Sequence, residues 1–118
     1  MEMIPRITAP LALVRCNDIG NRRIDRHDGK RLVLVDQNIL IHLTPTEYRI
    51  FLYLLKGQIV SDTELAEYVL RTMAVDQLAK ESLSKHIDNT RNKLRPVGLN
   101  IFRVLRYGYL LRETREQN

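Results

Sequence analysis

LAKESLSKHIDNTRNKLRPVGLNIFRVLRYGYLL, residues 78–111, decides how this chain folds. Its first half places Leu83, Ile87 and Leu94 at spacings of four and seven, with Thr90 on the same side, the apolar stripe of an amphipathic helix. Pro96 ends that pattern, because a proline disfavours helical geometry in the residue before it. A helix is therefore expected from about Leu78 to Arg95. Gly98 then turns the chain, and Ile101–Leu105 and Tyr107–Leu111 read as a β-hairpin with Arg106 near its tip.

Upstream, Thr44-Pro45-Thr46-Glu47 has the form of a capping box with proline at the first helical position. Leu43 and Tyr48 are placed to close a hydrophobic staple around it, and the helix runs through Tyr48, Ile50, Phe51, Leu54 and Leu55 to a stop at Gly57. Ser61-Asp62-Thr63-Glu64 repeats the grammar, with Val60 and Leu65 as staple and a short helix through Tyr68 and Val69. Residues 71–77 have no clean period and read as a loop.

The first third reads as strands. Leu11–Arg15 is apolar with a polar end, and Arg22–His27 and Lys30–Val35 flank Asp28-Gly29, which suits a two-residue hairpin turn with positive φ at both central positions. Leu32 and Leu34, then Ile39, Ile41 and Leu43, alternate at period two across a second turn at Asp36-Gln37-Asn38. A small antiparallel sheet of three or four strands results, and its apolar face needs a helical cover. The fold class is α+β: an N-terminal antiparallel sheet (1–43), three helices (44–96), a wing hairpin (99–111) and a charged tail (112–118) expected to fray, within one winged helix-turn-helix domain of 118 residues.

Composition agrees with one soluble domain. The apolar fraction is 44% and the charged fraction 28%, and no apolar run approaches the length of a membrane helix. The start of the chain lacks a signal-peptide core, and a single cysteine, Cys16, excludes an internal disulfide and a thiolate-rich zinc site. Cys16 reads as a small buried hydrophobe, and the reducing cytoplasm as the compartment. Residues 80–118 carry nine lysines and arginines against four acids, which is the whole of the net charge of +5. A one-sided basic surface suits a polyanion, although the same residues also serve an ordinary solvated helix.

On the expected third helix, Lys85, Asp88, Asn89 and Asn92 lie opposite the apolar stripe. His86 and Lys93 flank one edge of that face, and Ser84, Arg91 and Arg95 the other. Asparagine pairs with adenine, lysine meets guanine and aspartate accepts from cytosine, so this outer face has the chemistry of major-groove reading. The bordering cations would hold phosphates and fix register. Arg106 in the hairpin turn would place a guanidinium in a minor groove. Tyr109 is assigned to the core, and Tyr107 is open to either role.

Catalytic chemistry finds little support. His27, His42 and His86 are widely separated, His27-Asp28 sits in a turn without further ligands, and Ser61 and Ser82 have no nucleophile-elbow context. No phosphate loop, metal site or cofactor site is expected, and the chain is not read as an enzyme.

Leu43-Thr44-Pro45-Thr46-Glu47-Tyr48, then Leu65, then Leu83…His86-Ile87…Arg91-Asn92-Lys93-Leu94, and finally Arg103-Val104…Gly108-Tyr109 resemble the motifs of the OmpR/PhoB-type winged-helix effector domain of two-component response regulators. The resemblance covers about residues 30–111. It implies that the 71–77 loop touches RNA polymerase, that His86 and Arg91 approach the DNA backbone, and that Ser84, Asp88 and Asn89 face bases or nearby phosphates. Thr90 stands where the family has a recognition-helix leucine, and Asp88 and Asn89 where arginines are usual. Leu105 replaces the wing arginine and Arg106 a wing glycine. The family's phospho-acceptor receiver domain has no room before the first strand, so the chain reads as a fragment of a longer regulator or as a stand-alone module. The expected function is sequence-specific binding of double-stranded DNA in bacterial transcription regulation, with paired copies on repeated half-sites. The alternative is a winged helix that has lost DNA binding and holds a protein through its wing or the 71–77 loop. A small hydrolase around His27-Asp28 is the remote third.

Overall fold

The computed structural model describes residues 13–15 and 18–114. Four strands come first: β1 (Val14–Arg15), β2 (Ile24–His27), β3 (Leu32–Val35) and β4 (Ile39–His42). Then follow α1 (Pro45–Leu54), β5 (Val60–Ser61), α2 (Asp62–Leu70), α3 (Gln77–Leu94), a short 3₁₀ turn (Arg95–Val97), and the hairpin β6 (Leu99–Val104) and β7 (Gly108–Glu113). The first sheet is antiparallel in the order β1-β2-β3-β4, and the second has the order β5-β7-β6. This is a winged helix-turn-helix, as the sequence predicts. Cys16, residues 11 and 12 of the expected first strand, and residues 115–118 of the expected tail lie outside the described residues.

Both helix starts are built as their sequences demand, with one difference. Thr44 Oγ1 accepts from the Glu47 N–H at 3.2 Å, and Glu47 Oε1 accepts from the Thr44 N–H at 2.9 Å, which closes the capping box. Ser61 Oγ accepts from the Glu64 N–H at 3.1 Å, but the box stays half-made. The Glu64 carboxylate instead accepts from the Tyr53 hydroxyl on α1, and Ser61 is paired with Gly108 in the second sheet.

The strands differ from expectation in their details. The β2–β3 connection is a four-residue loop, since His27 pairs with Leu32, and its positive φ falls on Arg31 rather than on Gly29. Arg31 is fixed there by two bonds to Leu43: Arg31 Nε donates to the Leu43 carbonyl at 3.0 Å, and the Leu43 N–H donates back at 3.1 Å. The β3–β4 turn does hold positive φ at both Asp36 and Gln37. On β3 the fully buried side chains are Val33 and Val35, one step out of phase with Leu32 and Leu34. All four residues are apolar, so period two alone does not say which pair faces inward. β4 is an edge strand that leaves Ile39 and Leu40 largely exposed. The wing strand β7 continues to Glu113, two residues beyond its expected end.

The core gathers side chains from every layer, including Ile24, Val33, Leu43, Ile50, Phe51, Leu65, Leu83, Ile87, Leu94 and Ile101, each at most 1% exposed. That burial fixes the orientation of α3. Thr90 is fully buried within the stripe, and its hydroxyl donates to the His86 carbonyl at 2.7 Å, so a polar group where an aliphatic would fit carries no orphaned donor. Glu113 ties β7 to the segment just ahead of β2, accepting from the Asn21 N–H at 3.0 Å and pairing with Arg22.

Candidate nucleic-acid interface

Because Leu83, Ile87, Thr90 and Leu94 face inward, the opposite side of α3 is presented to solvent. Ser84, Lys85, Asp88, Asn89, Asn92, Lys93 and Arg95 are exposed, and His86 and Arg91 are half-buried at its borders. All the residues nominated on this helix therefore lie on its solvent side or its rim. Arg106 is exposed at the turn of the wing.

The cations fall into two groups. Arg91 is engaged: Nη1 meets Asp88 Oδ1 at 2.6 Å, and Nε donates to the Ile101 carbonyl on β6 at 2.9 Å. Lys93 Nζ donates to Glu47 Oε1 at 2.7 Å. Arg103 grips the Asp62 carboxylate with both terminal nitrogens, at 2.5 and 3.0 Å, and lies over the Tyr109 ring. That bidentate bond to Asp62 holds the Arg103 guanidinium even further above its ordinary range. Lys80, Lys85, Arg95 and Arg106, by contrast, make no side-chain hydrogen bond or ion pair among the described residues. Ser84, His86, Asn89 and Asn92 are also without side-chain partners there.

Glu47 explains why Lys93 is held. Burial pushes its carboxyl upward, but the Lys93 ammonium and the Thr44 backbone N–H outweigh burial and leave it below the ordinary glutamate range. The charged carboxylate is thus stabilised at a nearly solvent-free position.

Between the N-terminal half of α3 and the wing runs an open groove whose lining includes Lys80, Glu81, Ser84, Arg103 and Arg106, together with Asp62 and Tyr109. Lys80 was not among the nominated residues. Its signal is the four-residue spacing to Ser84, which puts both on one helix face. Tyr109 is buried, as assigned, and Tyr107 is 58% exposed.

The wing is braced by tight packing. A Cβ on Gly108 would lie 1.9 Å from the Val60 carbonyl oxygen, so only glycine lets β7 approach β5. The Asp62 N–H donates to the Tyr107 carbonyl at 2.9 Å, and the Tyr107 N–H closes the wing turn on the Val104 carbonyl at 3.0 Å. Leu105 occupies the first central position of that turn with φ +51°, where glycine is the usual residue. A left-handed non-glycine residue costs about 1–2 kcal/mol.

At the other end of α2, Arg71 caps the helix in left-handed geometry and opens the loop to α3. Asp76 caps α3, accepting from the Ala79 N–H at 2.9 Å, and Gln77 already belongs to the helix. Met73 in the loop is 93% exposed, and Leu78 beyond it 73%. Among the described residues no group of three His, Cys, Asp or Glu could hold a metal ion, and no helix is long and apolar enough to cross a membrane.

Comparison with known proteins agrees with this architecture. The chain is similar to the DNA-binding domain of the response regulator AdeR, whose crystal structure is in complex with an intercistronic region. The TM-score is 0.63 and the identity 24%, over 76% of this chain and 94% of that one. It is also similar to the C-terminal domain of the nisin resistance regulator NsrR, a lantibiotic response regulator, with a TM-score of 0.57 and 29% identity over 70% and 84% of the two chains. No curated protein matches the chain in sequence. The profile of the family "Transcriptional regulatory protein, C terminal" matches residues 36–111, from the turn after β3 to the penultimate stretch of β7. The chain therefore belongs to that family, the OmpR/PhoB-type winged-helix domains that bind DNA in transcription regulation, and it is not an enzyme.

Proposed function

We propose that residues 1–118 form one winged-helix unit that binds duplex DNA sequence-specifically, with α3 in the major groove and the wing turn over the adjacent minor groove. The observation that carries this reading is the set of unpaired side chains on one surface. Asn89 and Asn92 supply base-reading amides on the outer face of α3, and Lys80, Lys85, Arg95 and Arg106 add exposed cations that no acid pairs among the described residues. Ser84, His86 and Asp88 complete the contact face. Arg91 and Lys93 act first as braces, because each is already bound within the fold.

Two copies on paired half-sites would extend the contact, as helix-turn-helix dimers do. The exposed Met73 on the loop that leads into α3, with Leu78 just after it, offers apolar contacts for a protein, and RNA polymerase is the proposed partner of the 71–77 segment. The cytoplasm is the matching compartment. Selection of bound duplexes from a random pool, repeated at two salt concentrations, tests the reading. A sequence motif and a steep fall in affinity with salt support it. Absence of binding to any duplex at low salt overturns it, and salt-insensitive capture of a protein would favour the interaction module instead.

A further inference from the structure

Leu105 is a conflict that the fold does not resolve. Its backbone is left-handed, and its side chain is 86% exposed, so burial returns nothing for the strained turn. The turn is nevertheless held firmly. Arg103 Nε donates to the Leu105 carbonyl at 3.1 Å while the same guanidinium grips Asp62 on α2. A braced arm thus presents one large apolar side chain at its tip, with Arg106, which has no partner among the described residues, next in sequence and Tyr107 beside it, half out in solvent.

The geometry points to Leu105 as an apolar wedge that enters the minor groove of duplex DNA and partly unstacks a base step. This inference rests on the DNA-binding reading above. The groove between α3 and the wing is lined by Lys80, Ser84 and Arg106, with Glu81 and the Arg103–Asp62 pair, a net-positive polar channel that suits one sugar–phosphate strand. A strand lying there has the major groove on its α3 side and the minor groove on its wing side, so the tip stands over the minor-groove floor. Leucine is among the side chains that wedge between base steps from that groove and bend the duplex, most easily at pyrimidine–purine steps. Charge selects nucleic acid over an apolar protein surface as the occupant. The tip carries Arg106, which has no acidic partner among the described residues, and residues 80–118 hold the chain's entire net charge of +5.

The test uses the full chain and a duplex enriched by it from a random pool, with bending read by circular-permutation gel shift. Leu105→Gly relieves the positive φ, and Leu105→Asn tolerates it, so neither variant threatens the fold; thermal midpoints verify this. Both variants are expected to lose about tenfold in affinity and most of the bend. The slope of log affinity against log salt should stay as in the wild type, because no phosphate contact is removed. Wild-type bending and affinity in both variants would overturn the wedge alone. A wild-type chain that binds no duplex would overturn the DNA reading, and the wedge with it.

Discussion

Lys93 Nζ and the Thr44 N–H donate to the same oxygen, Glu47 Oε1, at 2.7 and 2.9 Å. One carboxylate therefore closes the N-terminal cap of α1 and pins the last turn of α3. Helix α3 is held at its far end by the residue that caps the helix behind it. Lys93, which reads in sequence as a phosphate contact, is held within the fold by this ion pair.

Lys93→Met should lower stability by about 1–3 kcal/mol, because it leaves a buried carboxylate without its cation. The salt dependence of DNA affinity should change little. Lys85→Ala and Arg106→Ala should do the opposite, each reducing the log–log salt slope by about one while leaving the thermal midpoint near its wild-type value. Chemical denaturation and binding titrations at three salt concentrations separate the two classes. A Lys93→Met protein of wild-type stability would refute the bracing role.

Glu47 also sets an acid limit. Its carboxyl lies below the ordinary value of 4.5 in the folded chain, so between those two points the unfolded chain holds more protons. Its contribution is fully present above pH about 4.5 and is lost as pH falls through the folded value. Asp28 shifts the same way, held down by Arg26 and the Tyr48 hydroxyl, and Asp36 is held down by the Arg23 N–H and Arg22. Stability should thus be nearly flat from pH 7 to 5 and fall below pH about 4.5. Glu47→Gln should be less stable at neutral pH and show a shallower acid slope. Equal slopes in the two proteins would place the acid sensitivity elsewhere.

Gly108→Ala should be among the most damaging single-methyl changes in the chain. The added carbon would meet the Val60 carbonyl oxygen at 1.9 Å and the Val60 carbonyl carbon at 2.7 Å, both backbone atoms that no rotamer can move. Separation of β5 from β7 is the only relief, at a cost of about 3 kcal/mol. Tyr109 and the Asp62–Arg103 pair should loosen with it, seen as faster amide exchange across residues 99–113. Wild-type exchange there would mean the sheet yields more easily than its geometry implies.

What the sequence made legible were the features carried by local period and spacing. Leu83, Ile87, Thr90 and Leu94 mark the buried side of α3 because a helix repeats every 3.6 residues, and Thr44 to Glu47 announces its own cap. The outer face followed as the complement of the inner one. The pairings that sort its cations were not legible, because they join residues far apart in the chain: Lys93 to Glu47, Arg103 to Asp62 and Arg91 to the Ile101 carbonyl. A two-residue strand such as β5 has no period to read, and the same long-range pairing diverts Ser61 and Glu64 from a full capping box. Sequence thus marked the solvent face of α3, and only the fold could show which charges on it are already paired.

Asp88 is the place where that distinction is testable in the gain direction. Its carboxylate holds Arg91 Nη1 at 2.6 Å on the exposed side of α3, while Arg91 Nε stays anchored to the Ile101 carbonyl. Asp88→Asn removes one negative charge from the solvent face of α3 and weakens the hold on the terminal guanidinium nitrogens without unfastening the side chain. The lost i,i+3 pair is surface-exposed, so stability should fall by no more than about 0.5 kcal/mol. Affinity for duplex of arbitrary sequence should rise several-fold at low salt, and the log–log salt slope should steepen by about one as Arg91 gains a phosphate. Discrimination between the selected site and random duplex should shrink, since the added contact reads no base. If affinity, slope and discrimination all stay at wild-type values, Arg91 lies away from the DNA and serves only to tie α3 to β6.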